Sequence, residues 1–164
     1  MTRQEATEFY RRHSRPLFNA ALRITGDPQE AEETMQDAIL KFLTSPVRTG
    51  SEARTAAWLR TTCIRMALDR LRKRRRENIF LHEYAAWEEE ADAGEELPVL
   101  PDVMEIKAAM ERLPEPYGLV LDLVLIEGLE YREIARMTGT KEGTLRSLFA
   151  RGRKKLAVLL RKCI

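Results

Sequence analysis

The segment 129–155 constrains this chain most, because its residues follow the spacing of a helix-turn-helix. A small residue, Ala135, stands where two helices must approach closely, and Gly139, four residues later, can supply the positive φ of a tight turn. Three apolar residues are spaced to share one core: Ile134, Met137 and Leu145. The second helix of such a unit lies in the DNA major groove. We therefore predict a DNA-binding unit; the alternative is an ordinary helical hairpin with a solvated charged face.

The basic end of this segment carries the candidate DNA contacts. Arg146 and Ser147 lie at the start of the second helix, where base edges are usually read, and no acidic residue follows Glu142. We assign these two residues to base edges or nearby groups. Phosphate contacts are assigned to the remaining polar and basic residues, Lys141, Thr144, Arg151, Arg153 and Lys154.

The net charge of +2 conceals a division of the chain into three parts. Residues 1–76 contain 16 basic and 9 acidic residues, residues 77–105 contain 10 acidic and no basic residues, and residues 106–164 contain 12 basic and 7 acidic residues. Two basic bodies joined by an acidic segment suit a protein that contacts nucleic acid at both ends.

Helical periodicity dominates outside the acidic segment. Only seven prolines and eight glycines interrupt 164 residues, and few stretches alternate with period two, so we predict an all-α fold of two small helical domains. The first helix should run over 4–25 and end at Gly26. Whether Pro16 splits or kinks this helix is left open by the sequence. Asp27 and Pro28 predict the start of a second helix, with Glu30 at the capping-box offset.

Three further helices are expected around a weakly periodic centre. After a loop over 44–55, a third helix over 55–76 should bury Trp58, Leu59, Thr62, Cys63, Met66, Ala67 and Leu71. A short helix over 103–112 and an apolar helix ended by Gly128 should precede the helix-turn-helix. The acidic segment between has linker composition and should be flexible, although Phe80, Leu81, Tyr84 and Trp87 suit a short docking helix.

No metal, disulfide or membrane signal is readable. Cys63 and Cys163 lie far apart, and His13 and His82 stand alone, so we expect no cofactor, no metal site and only structural or incidental histidines. The N-terminus does not resemble a signal peptide, and no run approaches the roughly 20 apolar residues of a membrane span. We expect a cytoplasmic protein without membrane insertion.

In order along the chain, these motifs resemble those of bacterial RNA polymerase sigma factors of the extracytoplasmic-function (ECF) group, which keep only sigma regions two and four. The resemblance rests on segments 22–27, 31–37, 57–60 and 67–72 for region two and on segments 131–135 and 143–147 for region four. It implies a domain 1–78 that binds the polymerase clamp and melts the minus-10 element. It further implies a linker over 79–103, followed by a domain over 104–164 that reads the minus-35 element.

The resemblance also implies partners: core RNA polymerase, through its β′ clamp helices and β flap, promoter DNA, and an anti-sigma factor. The second helix would dock on the clamp helices through Glu32, Glu33, Gln36, Asp37 and Leu40. On composition alone a solvated acidic surface is the favoured interpretation of this face, and the resemblance reverses that preference. The acidic linker would occupy basic polymerase channels as a mimic of RNA, or would simply be a spacer that does not adhere to DNA.

The third helix would capture the unpaired minus-10 strand. The assigned residues are Arg60, Arg65, Asp69, Arg70, Arg72 and Lys73. Seven basic residues against one acidic residue between Arg65 and Arg76 favour phosphate contact over a solubilising tail. Trp58 lies on the apolar stripe, so we expect core packing rather than base stacking.

Two positions depart from the family pattern. Arg65 replaces a common asparagine near the minus-10 bases, and Leu148 replaces an arginine found in many members. A leucine at that offset packs inward in many other helix-turn-helix proteins, which would remove one minus-35 contact.

Two other functional classes remain in competition with a sigma factor. A stand-alone helix-turn-helix regulator would leave the predicted minus-10 helix and the acidic face unexplained. A metal-dependent nuclease would need the acidic cluster 88–96, which has no histidine partner and no nearby nucleophile.

Overall fold

The computed structural model describes residues 1–46, 48–75 and 102–162, without the side chains of Arg75 and Lys162. The described residues form helices α1 (Arg3–Thr25), α2 (Pro28–Thr44), α3 (Glu52–Arg75), α4 (Val103–Glu111), α5 (Glu115–Leu121), α6 (Tyr131–Thr138) and α7 (Glu142–Lys162). A π-helical turn, Asp122–Ile126, continues α5 directly. These residues contain no strand, so the predicted all-α class is confirmed.

The described residues belong to two compact units, one within Met1–Arg76 and one within Glu77–Ile164. The second unit begins its described helices at Val103, where the Asp102 carboxylate caps α4 by accepting the Glu105 N–H at 2.8 Å. The predicted docking helix around Phe80–Trp87 and nearly all of the predicted linker lie outside the described residues.

In the first unit, α1, α2 and α3 pack against one another around a small-residue core. Each of the three helices buries at least one alanine among larger apolar residues, which lets the backbones approach closely at those points. The buried residues are Leu17, Ala20, Ala21, Ile24, Ala31, Met35, Ala38, Ile39, Leu59, Cys63, Ile64, Ala67, Leu68 and Leu71. Ile64 and Leu68 are buried although they lie off the predicted stripe, whereas Trp58, Thr62 and Met66 are only half-buried.

Local signals set the ends of the first helices. Gly26 ends α1 at φ +70, and its N–H donates to the Leu22 carbonyl at 2.8 Å. Asp27 caps α2 by accepting the Gln29 N–H at 2.9 Å. The Glu30 carboxylate does not complete the predicted capping box, and it accepts a hydrogen bond from Arg74 of α3.

The structure answers the open question about Pro16 and corrects the predicted start of α3. Helix α1 continues without interruption through Pro16, whose ring lies on the exposed side, where water can reach the carbonyl that lost its donor. Helix α3 begins three residues earlier than predicted, at Glu52. Ser51 supports this start: its hydroxyl accepts the Arg54 N–H at 3.2 Å and its carbonyl accepts the Thr55 N–H at 3.0 Å.

In the second unit, α7 is held mainly by α5. Gly152 of α7 is buried, and a Cβ atom there would lie 3.3 Å from Tyr117 Cβ and 3.4 Å from Leu121 Cγ. This close approach fixes the helix that carries the predicted DNA contacts to the core of its own unit.

The apolar helix before the helix-turn-helix ends in a way that the periodicity does not predict. The Glu127 N–H donates to the Asp122 carbonyl at 3.0 Å, five residues back, which is the π-helical pattern. Gly128 then takes φ +70, and the Leu129 N–H closes the end on the Leu123 carbonyl at 2.9 Å. The predicted role of Gly128 in ending the helix is confirmed.

Candidate functional site

Every residue assigned to the α2 face is exposed. Buried residues occupy the opposite side of the helix at Ala31, Thr34, Met35, Ala38 and Ile39, so the period of 3.6 turns the assigned set outward. The Gln36 amide donates to the Glu32 carboxylate at 3.5 Å, and Leu40, 59% exposed, follows one turn later. Glu32, Gln36 and Leu40 therefore form a line along the helix, which we call the α2 strip.

The other two acidic residues of the set contact α3. Arg70 Nη1 donates to Glu33 Oε2 at 3.0 Å, and Arg70 Nη2 donates to Asp37 Oδ2 at 2.9 Å. Burial acts to lower the pKa of the Arg70 guanidinium, but hydrogen bonds to Glu33 and Asp37 outweigh it and raise that pKa. A residue assigned to DNA is thus brought together with two residues assigned to the polymerase.

Arg74, one turn further along α3, makes a second set of contacts between helices. Its Nη1 donates to Glu30 Oε2 at 3.0 Å, and its Nη2 donates to the Thr25 carbonyl at 2.8 Å. The second bond satisfies one of the last carbonyls of α1, which has no partner within the helix. Arg74 therefore ties α3 to the connection between α1 and α2, although it belongs to the basic run that the sequence places against phosphates.

The rest of the minus-10 set lies outward on α3. Arg70 is half-buried, while the other members are exposed: Arg60, Arg65, Asp69, Arg72 and Lys73. An exposed cationic helix face can neutralise phosphates along a strand. Arg70 thus differs from the other assigned residues in being half-buried against α2.

Trp58 packs in an aromatic group at one end of the first unit. Its ring meets the edge of Phe42 at 5.4 Å between centroids, and Phe42 stacks on Phe9 at 5.2 Å. Trp58 is half-buried. The expectation that Trp58 packs inside the unit agrees with these contacts.

His13 extends the same group to the start of α3. The imidazole lies 4.6 Å from the Phe9 ring centroid, and its Nε2 is 3.1 Å from Glu52 Oε1. Glu52 also accepts from Arg12 Nη1 at 3.2 Å. Burial lowers the pKa of His13, and this effect exceeds the opposing attraction of Glu52.

The helix-turn-helix consists of α6 and α7. Gly139 follows α6 at φ +72, and its N–H donates to the Ala135 carbonyl at 2.8 Å, so its predicted positive φ is confirmed. Ile134 and Leu145 are fully buried, as predicted, whereas Met137 is half-buried. Leu148 is 0% exposed, so the leucine packs inward and is not presented to a ligand.

The residues assigned to minus-35 contacts follow the outer side of α7 and the residue before it. Lys141, Arg146, Ser147, Arg153 and Lys154 are exposed, and Thr144 and Arg151 are half-buried. The Arg146 guanidinium lies over the ring of Tyr131, the first residue of α6, with its Cζ 5.4 Å from the ring centroid. The same ring meets Phe149 edge-on at 6.1 Å.

Sequence reasoning assigns no role to Tyr131 or Glu52. Tyr131 lies 15 residues before Arg146, on another helix, and a spacing pattern along one helix does not report such a pair. The only local signal for Glu52 is its acidic character at a helix start. Neither residue could be paired with its partner without the packing of the helices.

The described residues hold no group of three or more histidine, cysteine, aspartate or glutamate side chains that could bind a metal ion. The acidic cluster 88–96 lies outside them. The Cys63 thiol is buried, and its Sγ donates to the Leu17 carbonyl oxygen at 3.5 Å. Within the described part of the chain, none of the helices has the length and apolar character needed to cross a membrane.

Each of the two units matches a known family model. Residues 9–77 match the family model "Sigma-70 region 2", and residues 103–156 match "Sigma-70, region 4". The two matches include α2 and α3 in the first unit and, in the second, α6 and the part of α7 up to Leu156.

Individual relatives agree with the family models. The ECF RNA polymerase sigma factor SigL of Mycobacterium tuberculosis is 30% identical over 139 residues, which cover 84% of this chain and 78% of SigL. SigM of the same species is 28% identical over 153 residues, covering 93% of this chain and 76% of SigM. The sigma factor RpoE of Bartonella quintana, solved in complex with the anti-sigma factor NepR, shares the fold with a TM-score of 0.55 at 23% identity, covering 96% of this chain and 98% of RpoE. The chain belongs to the extracytoplasmic-function group of RNA polymerase sigma factors in the sigma-70 family, which act in transcription initiation.

Proposed function

We propose that this sigma factor holds core RNA polymerase through α2, captures the unpaired minus-10 strand with α3 and reads the minus-35 duplex with α7. The observation that carries the proposal is the α2 strip: an exposed leucine in line with an acidic and an amide side chain, on a helix whose opposite side is buried. An exposed leucine in line with polar side chains can serve as the apolar anchor of a docking surface.

The clamp helices of the β′ subunit are the proposed partner of the α2 strip. Glu32 and Gln36 would meet basic and polar groups, and Leu40 would enter an apolar site beside them. Glu33 and Asp37 already neutralise Arg70, so they contribute less charge to this contact than the number of acidic residues on α2 indicates. The β flap is the proposed polymerase partner of the second unit.

The minus-10 strand is the proposed ligand of the outer face of α3. Arg65 and Lys73 are exposed there and suited to phosphates, and Arg65 replaces the asparagine common at its position. Arg70 lies on the same helix, but its guanidinium is hydrogen-bonded to carboxylates of α2. We accordingly assign phosphate neutralisation mainly to the exposed basic members of the set, Arg60, Arg65, Arg72 and Lys73.

The minus-35 duplex is the proposed ligand of α7. Arg146 and Ser147 are exposed on its second turn and suit base edges, while Arg153 and Lys154 are exposed further along and suit phosphates. Leu148 belongs to the core and contributes no contact. The proposed reading surface therefore has one base or phosphate contact fewer than that of family members with an arginine at the position of Leu148.

An anti-sigma factor is the proposed regulatory partner. RpoE of Bartonella quintana was solved with such a protein, and its fold is shared over nearly the whole of both chains. The exposed apolar residue of the α2 strip is a natural target for a competitor of the polymerase.

Reconstitution with core RNA polymerase tests the proposed function. Purified protein added to core enzyme should direct run-off transcription from defined start points on genomic fragments. Core enzyme alone is the matched control. A stand-alone regulator would bind DNA but would not replace a sigma factor, so binding without defined starts would contradict the proposal.

A further inference from the structure

We propose that Tyr131 is a positioning residue for base recognition: its ring holds the Arg146 guanidinium in the orientation that reads a base edge. The inference rests on the proposed function of α7 as the reader of duplex DNA. It concerns a residue on the first helix of the helix-turn-helix, which is not itself assigned to a base.

The geometry joins the two helices at the reading surface. The Arg146 Cζ lies 5.4 Å from the centroid of the Tyr131 ring, within the range of a cation–π contact. Tyr131 is half-buried and Arg146 is exposed, so the ring forms a floor beneath a side chain that faces outward. The guanidinium is attracted to the ring face without giving up its hydrogen-bond donors.

The ring itself is held from a second side. Phe149, one turn of α7 beyond Arg146, meets Tyr131 edge-on, with centroids 6.1 Å apart and planes at 79°. Edge-to-face contact is a preferred arrangement of aromatic pairs. Tyr131 is therefore held between two residues of α7, and its ring rotates less freely than that of an exposed side chain.

The charge pattern explains why this orientation matters. Arg146 is the sole basic residue among positions 142–150, so a forked cation at the start of α7 must come from it. Leu148, two residues further along α7, is buried and offers no hydrogen-bond donor. Arginine reads a base through two parallel donors, and this requires its plane to be correctly turned. A freely rotating side chain would more often present one donor or none.

The experiment compares Tyr131→Leu with Tyr131→Phe in holoenzyme reconstituted from core polymerase and the full chain. The readout is the ratio of run-off transcription from a promoter to that from variants with single base changes across the minus-35 element. Tyr131→Phe keeps the ring face and should keep the ratio. Tyr131→Leu should lower the ratio about two- to five-fold at the one or two base pairs read by Arg146, which corresponds to the usual strength of an exposed cation–π contact.

A double-mutant cycle with Arg146→Ala separates positioning from general damage to the fold. Tyr131→Leu should cause no further loss of discrimination in the Arg146→Ala background, because the side chain that it orients is absent. Discrimination at the other minus-35 base pairs should stay unchanged in all variants.

Three results would overturn the inference. Discrimination unchanged in Tyr131→Leu would show that the ring is not needed, and equal loss in Tyr131→Phe would assign the effect to the hydroxyl. An additive loss in the cycle would assign it to the fold. If Arg146→Ala itself leaves discrimination intact, the proposed reading role of Arg146 fails as well, whereas a loss in Arg146→Ala without one in Tyr131→Leu contradicts only the role of Tyr131.

Discussion

Arg70 of α3 donates a hydrogen bond to Asp37 of α2 at 2.9 Å, and its second nitrogen holds Glu33 at 3.0 Å. One guanidinium thus links the helix proposed to bind the polymerase to the helix proposed to bind the minus-10 strand. Arg70 is about 30% exposed and the carboxylates are more exposed, so water screens the pair.

A double-mutant cycle of Arg70→Ala and Asp37→Ala should measure a coupling of about 0.5–1 kcal/mol in the free energy of unfolding. Urea denaturation of the full chain followed by circular dichroism is the measurement. Arg65→Ala, exposed on the same helix, is the matched control and should show no coupling with Asp37→Ala. A coupling near zero for Arg70 would mean that the observed pair contributes nothing to stability.

Leu40→Ser should weaken binding to core polymerase about ten-fold, because an exposed leucine in a docking surface acts as an apolar anchor. The free protein should keep its unfolding midpoint, since Leu40 is already 59% exposed. Lys41→Ser, the exposed neighbour turned about 100° around α2, is the control for affinity. Equal affinity of the Leu40→Ser and wild-type proteins in a fluorescence titration with core enzyme would argue against the α2 strip.

The stability of the first unit should fall as the pH drops below about 6.5, and His13 should account for part of the slope. Burial lowers the pKa of His13 in the folded protein, so the unfolded chain takes up the proton first on acidification. The contribution of His13 is therefore fully present above the unfolded pKa and is lost as the pH falls toward the folded pKa. For one group the slope is at most about 1.4 kcal/mol per pH unit.

Urea denaturation between pH 5.5 and 7.5 tests this dependence. His13→Gln keeps a polar side chain without the titration, so its stability should vary less with pH over that range. Because His82 is present in both proteins, the difference between them isolates His13. Identical slopes would assign the pH dependence to other groups.

Leu148→Ala should destabilise the second unit by about 2–5 kcal/mol, because it removes a fully buried side chain and leaves a cavity. Hydrogen–deuterium exchange of the full chain should show faster exchange over residues 103–162 and unchanged exchange over residues 3–44. Ser147→Ala, the exposed neighbour, should not alter the exchange. If Leu148→Ala instead changed base preference in an intact unit, the inward placement of Leu148 would be wrong.

Lys154→Ala should weaken holoenzyme binding to all promoter sequences alike and should reduce the steepness of its salt dependence. Loss of one phosphate contact lowers the slope of log affinity against log salt by about 0.9. Lys107→Ala on α4, also an exposed lysine, controls for the loss of a charge. An effect confined to one promoter variant would indicate base reading by Lys154 instead.

The helix-turn-helix could be predicted in detail, because its signals act over short distances. Gly139 takes the predicted positive φ, and Ile134 and Leu145 are buried as their spacing requires. The helix start at Asp27 and the helix end at Gly26 follow from the same kind of local chemistry. The order of such motifs along the chain was sufficient to indicate the family.

The assignment of charged side chains to partners could not be read in this way. Arg70 and Arg74 belong to a basic run that is typical of phosphate contact, yet in the folded protein they bind carboxylates of α2 that lie more than 30 residues away. Composition reports how many charges a helix carries and periodicity reports which side is apolar. Neither reports which outward charge meets a neighbouring helix, because that depends on how two helices pack.

The amino-acid sequence by itself determined the helical class, the turn geometry and the family, since these depend on residue type and near spacing. Only the tertiary structure decided that Arg70 joins two proposed interfaces and that Tyr131 lies beneath Arg146. The physical reason is that hydrogen bonds and ring contacts between helices require particular distances and orientations. Packing of the cores sets those distances, and no local pattern along the chain encodes them.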